Sequence, residues 1–119
     1  MGNNIIKQKS FDFAVKIVKL SQYLVAEKKE FVLSKQILRS GTSVGAMIRE
    51  GEHAQSKADF IHKLSIAQKE INETLYWLEL LKATDYISLE EFTTLNEDGI
   101  EILKLLTSII KTAKSKLNH

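Results

Sequence analysis

Apolar residues recur every three or four positions along most of the chain, a spacing that places them on one face of an α-helix. Four segments show this spacing, and they predict helices over residues 10–28, 32–54, 56–84 and 88–117. Short connections make helices that follow each other in the chain pack antiparallel. The pattern therefore predicts an all-α fold, an antiparallel up-down-up-down four-helix bundle forming a single domain over residues 1–119.

Three serines mark predicted helix starts. Ser10 precedes the first apolar repeat, and serine is a favoured N-cap residue. Ser56 and Ser88 are each followed three positions later by an acid, Asp59 and Glu91, which is the spacing of a capping box. These signals predict where the first, third and fourth helices begin.

The predicted core consists of the inward residues of each helix. On the first helix, Phe11, Val15, Val18 and Val25 flank this face and widen it. The third helix alternates steps of four and three, as in a heptad seam. The predicted inward residues include Phe13, Ala14, Ile17, Leu20, Leu24, Leu33, Ile37, Val44, Ile48, Phe60, Leu64, Ala67, Ile71, Leu75, Leu78, Leu81, Phe92, Leu95, Ile102, Leu106, Ile110 and Leu117.

The amino-acid composition supports a helical protein and excludes every site that depends on cysteine. Proline is absent, as expected of a chain that is mostly continuous helix. Cysteine is absent too, which excludes disulfides, thiolate zinc sites and a catalytic thiol. The chain has no signal-peptide pattern and no uncharged apolar run of the ~18 residues that a membrane span requires. We expect a soluble, cytoplasmic protein.

Charge is spread unevenly although the net charge is only +2. Residues 1–49 hold nine Lys or Arg and three acids, residues 50–101 hold four and twelve, and residues 102–119 hold four and none. Such asymmetry is typical of a protein with a charged partner, but solvated helix faces also cluster charge.

Two features of the middle helices exceed what a simple bundle requires. Gly41, Gly45 and Gly51 interrupt the second helix, and each glycine costs about 1 kcal/mol relative to alanine. They fit close helix packing within the bundle, a crossing with another subunit, or phosphate binding. On the third helix, four apolar residues lie off the core stripe, as an oligomer interface or a peripheral core contact would place them. These residues are Ile66, Tyr76, Trp77 and Leu80.

The sequence contains few candidate catalytic or metal-binding residues. Glu50 and His53, and Asp59 and His62, have the carboxylate-x-x-His spacing found in di-iron bundles. The fourth helix has no carboxylate after Glu101 to complete such a site, so we expect hydrogen-bonding histidines and no metal. No nucleophile–base set, phosphate loop or dinucleotide motif is present. We expect no catalytic activity and no cofactor.

Three segments carry a family resemblance. They read QILRSGTSVGAMIREG at 36–51, AQSKADFIHKLSIA at 54–67 and ETLYWL at 73–78. They resemble the four-helix bundle proteins encoded in intervening sequences of bacterial 23S rRNA genes, also labelled as S23 ribosomal proteins, and are similar to the accessory protein of diversity-generating retroelements. One departure is Met47, where the family pattern usually has Asn. The resemblance implies a ring-shaped homopentamer that binds nucleic acid through basic surface and has no catalytic activity.

These observations lead to a functional hypothesis. We expect a non-catalytic homo-oligomer that binds the backbone of RNA or DNA, the alternative being a protein-interaction scaffold without nucleic acid. In an up-down-up-down bundle the first helix begins where the fourth ends, which would join their lysines into one basic surface. The candidate nucleic-acid residues are Lys7, Lys9, Lys111, Lys114, Lys116, Arg39 and Arg49. The candidate interface residues are Gly41, Gly45, Ile66, Tyr76, Trp77 and Leu80.

Overall fold

The computed structural model describes residues 2–117, with side chains from residue 4 onward. It contains four helices, α1 (Gly2–Lys28), α2 (Leu33–Glu52), α3 (Lys57–Ala83) and α4 (Leu89–Leu117), and no strand in this part of the chain. The predicted all-α fold of four helices is confirmed. Met1, Asn118 and His119, which the predicted domain includes, lie outside the described residues.

The helices surround one continuous hydrophobic core. Each helix contacts the next in sequence, and α1 also contacts α4, in a molecule of 51 × 22 × 20 Å. Most predicted inward residues are buried, whereas Leu33, Phe60, Leu75 and Phe92 are half-buried against the core edge. Ala14 is half-buried too, and the inward assignment of Leu117 is wrong, because this last residue of α4 is 47% exposed. Within residues 2–117, no helix is both long enough and apolar enough to cross a membrane.

The first helix begins earlier than the sequence predicts. α1 starts at Gly2, eight residues before Ser10, and Ile6 is part of the core. Ser10 is buried, and its hydroxyl donates to the carbonyl oxygen of Lys7 at 3.0 Å. Serine inside a helix bonds the preceding turn in this way, so Ser10 is an interior residue rather than an N-cap.

The predicted starts of α3 and α4 are correct. The Ser56 hydroxyl accepts a hydrogen bond from the Asp59 N–H at 3.0 Å. At the start of α4 the bonding is reciprocal, because the Glu91 N–H donates to the Ser88 hydroxyl at 3.1 Å and the Ser88 N–H donates to the Glu91 carboxylate at 3.0 Å. Both serines satisfy N–H groups that would otherwise lack partners.

Gly41 packs inside the molecule, between α1 and α2. A Cβ atom at this position would lie 2.8 Å from a methyl carbon of Ile17, which is itself fully buried. Gly41 is thus covered by its own chain, as the close-packing interpretation requires, and it offers little surface to a second subunit.

Candidate nucleic-acid interface

One end of the molecule gathers lysines from two helices. Lys57 opens α3, and Lys111, Lys114 and Lys116 occupy the last two turns of α4. All four side chains are exposed, and none forms an ion pair with a carboxylate within residues 4–117. We call these four lysines the basic end. Their charge is not neutralised locally, so they can attract phosphate groups.

A groove of about 570 Å³ lies at the basic end. Lys57 and Lys116 both line it, so the groove joins the start of α3 to the last turn of α4. Gly51 is buried, while Ala54, Phe60, Ile109 and Ala113 are half-buried, and these five residues form its apolar part. The exposed residues of the lining are Lys57, Lys116, Ser56, Ser108 and Thr112.

Lys7 and Lys9 do not add free charge to this end. The Lys7 Nζ atom lies 3.2 Å from a carboxylate oxygen of Glu52, and the Lys9 Nζ atom lies 3.1 Å from one of Glu101. Glu101 precedes Lys111 by ten residues, or about 15 Å along the helix. The structure thus brings the two α1 lysines to carboxylates, and not into a joint cluster with the three α4 lysines.

Arg39 is held by two carboxylates of α3. Its guanidinium donates to Glu70 at 2.8 Å and to Glu73, and the Trp77 indole N–H donates to Glu73 at 2.9 Å. The hydrogen bond from Arg39, followed by that from Trp77, lowers the pKa of Glu73 below its usual value. The bonds to Glu73 and then Glu70 raise the pKa of Arg39. A phosphate would have to displace two carboxylates, so Arg39 is poorly placed to bind one.

Arg49 differs from Arg39 in its surroundings. Its guanidinium carbon lies 5.5 Å from the centre of the Phe11 ring, within the range of a cation–π contact. Within residues 4–117 it forms no ion pair with a carboxylate. Arg49 keeps its charge available, but on the α1–α2 side of the molecule rather than among the residues that line the groove.

Lys57 and Phe60 are candidate site residues that were not predicted from the sequence. The two lie three positions apart at the start of α3, so they share a helix face. This spacing was a visible signal, but only the fold brings the last turns of α4 beside them. The sequence alone shows no repeated alternation of basic and aromatic residues, and the prediction rested on lysine clusters near the chain ends.

The other candidate interface residues lie at varied depths. Gly45 is half-buried, and a Cβ atom there would meet the Ser10 hydroxyl oxygen at 3.4 Å. On α3, Ile66, Trp77 and Leu80 are half-buried, whereas Tyr76 is 54% exposed and packs edge-on against the Trp77 ring. The α3 residues leave apolar surface open for a partner.

A second apolar face lies on α1. Phe11, Val15, Val18 and Val25 were predicted to widen the core stripe, but they are between 36% and 50% exposed. Their spacing of four, three and seven residues places them in one row along the helix. We call these four residues the α1 seam. It is the longest exposed apolar row on a described helix, and no candidate interface residue was predicted there.

The histidine and carboxylate pairs do not form a metal cluster. Glu50, His53 and Asp59 line a shallow depression together with Arg49 and Lys63. Lys63 forms an ion pair with Glu50 at 3.4 Å. Within residues 4–117, no group of three or more His, Cys, Asp or Glu side chains lies close enough together to hold a metal ion.

Comparison with known proteins identifies a family. The family model of the 23S rRNA-intervening sequence protein matches residues 2–108, which confirms the resemblance predicted from the sequence. The chain is also similar to a crystal structure at 1.70 Å of a protein of unknown function from the S23 ribosomal protein family of Bacteroides thetaiotaomicron. The two are 64% identical with a TM-score of 0.92, over 93% of this chain and 99% of the other. The curated proteins contain no match.

Proposed function

Because the chain belongs to the family of 23S rRNA-intervening sequence proteins, we propose that it is a non-catalytic, oligomeric protein that binds the backbone of RNA or DNA through the basic end. The observation that carries this proposal is that unpaired lysines of two helices meet at one end of the molecule, beside a groove whose lining holds no carboxylate. Lys7, Lys9 and Lys16 are each paired with a carboxylate, whereas the four lysines of the basic end have no such partner within the described residues. Free lysines are what phosphate neutralisation requires.

The proposal includes an assembly. We propose antiparallel helices, and several copies of this bundle arranged as a ring-shaped homopentamer. The exposed α1 seam and the exposed apolar surface at Tyr76 on α3 support this assembly. Two different apolar surfaces on one subunit favour a head-to-tail contact between neighbouring subunits, and such a contact can close into a ring. Repeating the basic end around a ring would multiply its attraction for a polyanion.

A lysine replacement series tests the nucleic-acid proposal. Lys111, Lys114 and Lys116 are changed together to Gln, and binding of a labelled single-stranded RNA is titrated at several salt concentrations. Each lost phosphate contact should reduce the slope of log K against log salt by about 0.7, so the triple variant should lose about two units of slope. The matched control changes Lys19, Lys29 and Lys35, three exposed lysines that form no ion pair with a described carboxylate.

The control separates local binding from bulk charge. Both triple variants remove the same net charge, and only the first should change the slope. Equal losses in the two variants would show that the basic end has no special role. An absence of RNA and DNA binding in the unmodified protein would favour the alternative function, a protein-interaction scaffold, for which the α1 seam supplies an apolar surface.

A further inference from the structure

The groove at the basic end has the chemistry of a small amphipathic site. Its volume of about 570 Å³ falls within the range of about 300–1,000 Å³ common for small-molecule pockets. The lining combines an aromatic ring, Phe60, with the aliphatic side chains of Ile109 and Ala113. Hydroxyl groups of Ser108 and Thr112 stand at its exposed wall and can donate or accept hydrogen bonds.

Charge decides which class of ligand suits this groove. Lys57 and Lys116 line it from two different helices, α3 and α4. No carboxylate is among the residues that line the groove. The site therefore offers an apolar surface next to unpaired positive charge, which complements a ligand with a flat apolar part and adjacent anionic groups.

We propose that the groove binds an unpaired base of a single-stranded nucleic acid, with the base against Phe60 and the neighbouring phosphates on Lys57 and Lys116. This inference rests on the proposed function and specifies its substrate class. Aromatic side chains act as stacking platforms for bases of any sequence, and lysines beside them track the backbone. The groove is open rather than enclosed, so the base is accepted without strict selection of its identity.

The geometry also sets a preference between nucleic-acid forms. A base in a duplex is stacked and paired, and it would have to be flipped out, at a cost of a few kcal/mol, to enter the groove. The lysines of the basic end, by contrast, can contact the phosphates of either form. Single strands should therefore bind more tightly than duplexes of the same length, by the contribution of the bound base.

Three probes and three variants test the inference. The probes are a short unstructured single-stranded RNA, an RNA duplex of the same length, and a single-stranded phosphodiester of the same length that carries no bases. Phe60→Leu removes the aromatic ring while keeping an apolar side chain, and Ala113→Leu fills the groove. Ala83→Leu, at the exposed last residue of α3, adds the same bulk at the far end of that helix. A melting curve verifies that each variant folds.

The inference predicts a specific pattern of affinities. The single-stranded RNA should bind more tightly than the other two probes, and Phe60→Leu and Ala113→Leu should each weaken its binding by at least about fivefold, the lower end of base stacking on an aromatic side chain. Binding of the duplex and of the base-free probe should not change. Ala83→Leu should affect none of the three.

Other patterns would overturn the inference and can be told apart. If both groove variants leave single-strand affinity unchanged while the Lys111, Lys114 and Lys116 triple variant still weakens it, the groove holds no base and the proposed function stands. If the groove variants weaken all three probes equally, the groove contributes only to the backbone contact. If none of the probes binds to the unmodified protein, the proposed function itself is wrong.

Discussion

Gly41 and Gly45 lie on the same helix, four residues apart, and differ in what surrounds them. A Cβ atom at Gly41 would lie 2.8 and 2.9 Å from two carbons of Ile17, closer than real Cβ contacts. At Gly45 the nearest atom is the Ser10 hydroxyl oxygen at 3.4 Å, which is an ordinary contact distance. Two glycines that look equivalent in the sequence therefore have different reasons to lack a side chain.

Alanine substitution should separate these two positions. Gly41→Ala should lower the free energy of unfolding by about 1–2 kcal/mol, because overpacking against the buried, β-branched Ile17 outweighs the gain of up to about 1 kcal/mol in helix propensity. Gly45→Ala should instead be neutral or raise it by up to about 1 kcal/mol. Urea denaturation of the two variants measures both changes. A stabilised Gly41→Ala protein would show that Ile17 moves aside freely.

At the scale of the element, one cluster ties α2 to α3 on the surface. Arg39 on α2 bonds to Glu70 and Glu73 on α3, and Trp77 adds a bond to Glu73. The hydrogen bond from Arg39, and then that from Trp77, lowers the pKa of Glu73 below its usual value of 4.5. A carboxylate with a lowered folded-state pKa stabilises the fold above its unfolded pKa, and this contribution disappears as the pH falls through the folded value.

This cluster predicts that Glu73→Gln changes the free energy of unfolding by an amount that depends on pH. At neutral pH, Glu73→Gln should unfold more easily than the unmodified protein, by the ~0.2–1 kcal/mol that exposed ion pairs contribute. Below about pH 4.5 this difference should shrink towards zero, because protonation of Glu73 removes the same interaction. Arg39 stays charged throughout, since its pKa is raised.

Urea denaturation at pH 7 and at pH 3 tests this prediction. Glu79→Gln is the control, since Glu79 is an exposed carboxylate of the same helix that forms no ion pair within the described residues. A difference for Glu73→Gln that is the same at both pH values would mean that the charge of Glu73 does not act through Arg39.

The positions of the helices could be predicted from the sequence wherever they depend on residues close together in the chain. The apolar repeats located all four helices, and the Ser88–Glu91 spacing located the start of α4 because a capping box involves only neighbouring residues. Ser10 misled the prediction, since a serine suits both an N-cap and a helix interior, and only the burial of Ile6 separates the two. The partners of Arg39 and Lys9 depend on which helix faces they meet, which no local pattern encodes.

The candidate site could be predicted only in part, because some of its residues come together only through the packing of distant helices. The three α4 lysines were identified from the sequence because they crowd one helix end that holds no acid. Lys57 and Phe60 were missed because the groove exists only where the start of α3 meets the last turns of α4. The exposure of the α1 seam was missed as well, since an apolar row beside the core stripe looks like more core until the neighbouring helices are placed.

At the scale of the whole molecule, the α1 seam and the basic end occupy different regions. The α1 seam runs along the side of the molecule, from Phe11 to Val25, while the basic end lies where α3 starts and α4 finishes. Subunits joined through their sides would leave their ends uncovered. The proposed assembly and the proposed binding of nucleic acid can thus operate together, because neither uses the surface that the other requires.

This separation predicts variants that lose assembly but keep the fold. Val15→Glu and Val18→Glu, combined, place two charges in the centre of the α1 seam, where a subunit contact would have to desolvate them. We expect light scattering of the unmodified protein to give about five times the chain mass of 13.5 kDa, and of the double variant to give a mass close to one chain. Because both positions are partly exposed, the helical circular dichroism signal should remain.

A matched variant makes the result specific to the seam. Asn72→Glu adds a charge at an exposed position of α3 outside the α1 seam and the candidate interface residues, and it should leave the assembled mass unchanged. Single-chain mass in the unmodified protein at micromolar concentration would refute the oligomer. An assembled double variant would place the contact elsewhere, at the open surface around Tyr76. The lysines of the basic end are untouched in the double variant, so it should still bind RNA, but more weakly, because one chain presents one basic end while a ring presents several to the same strand.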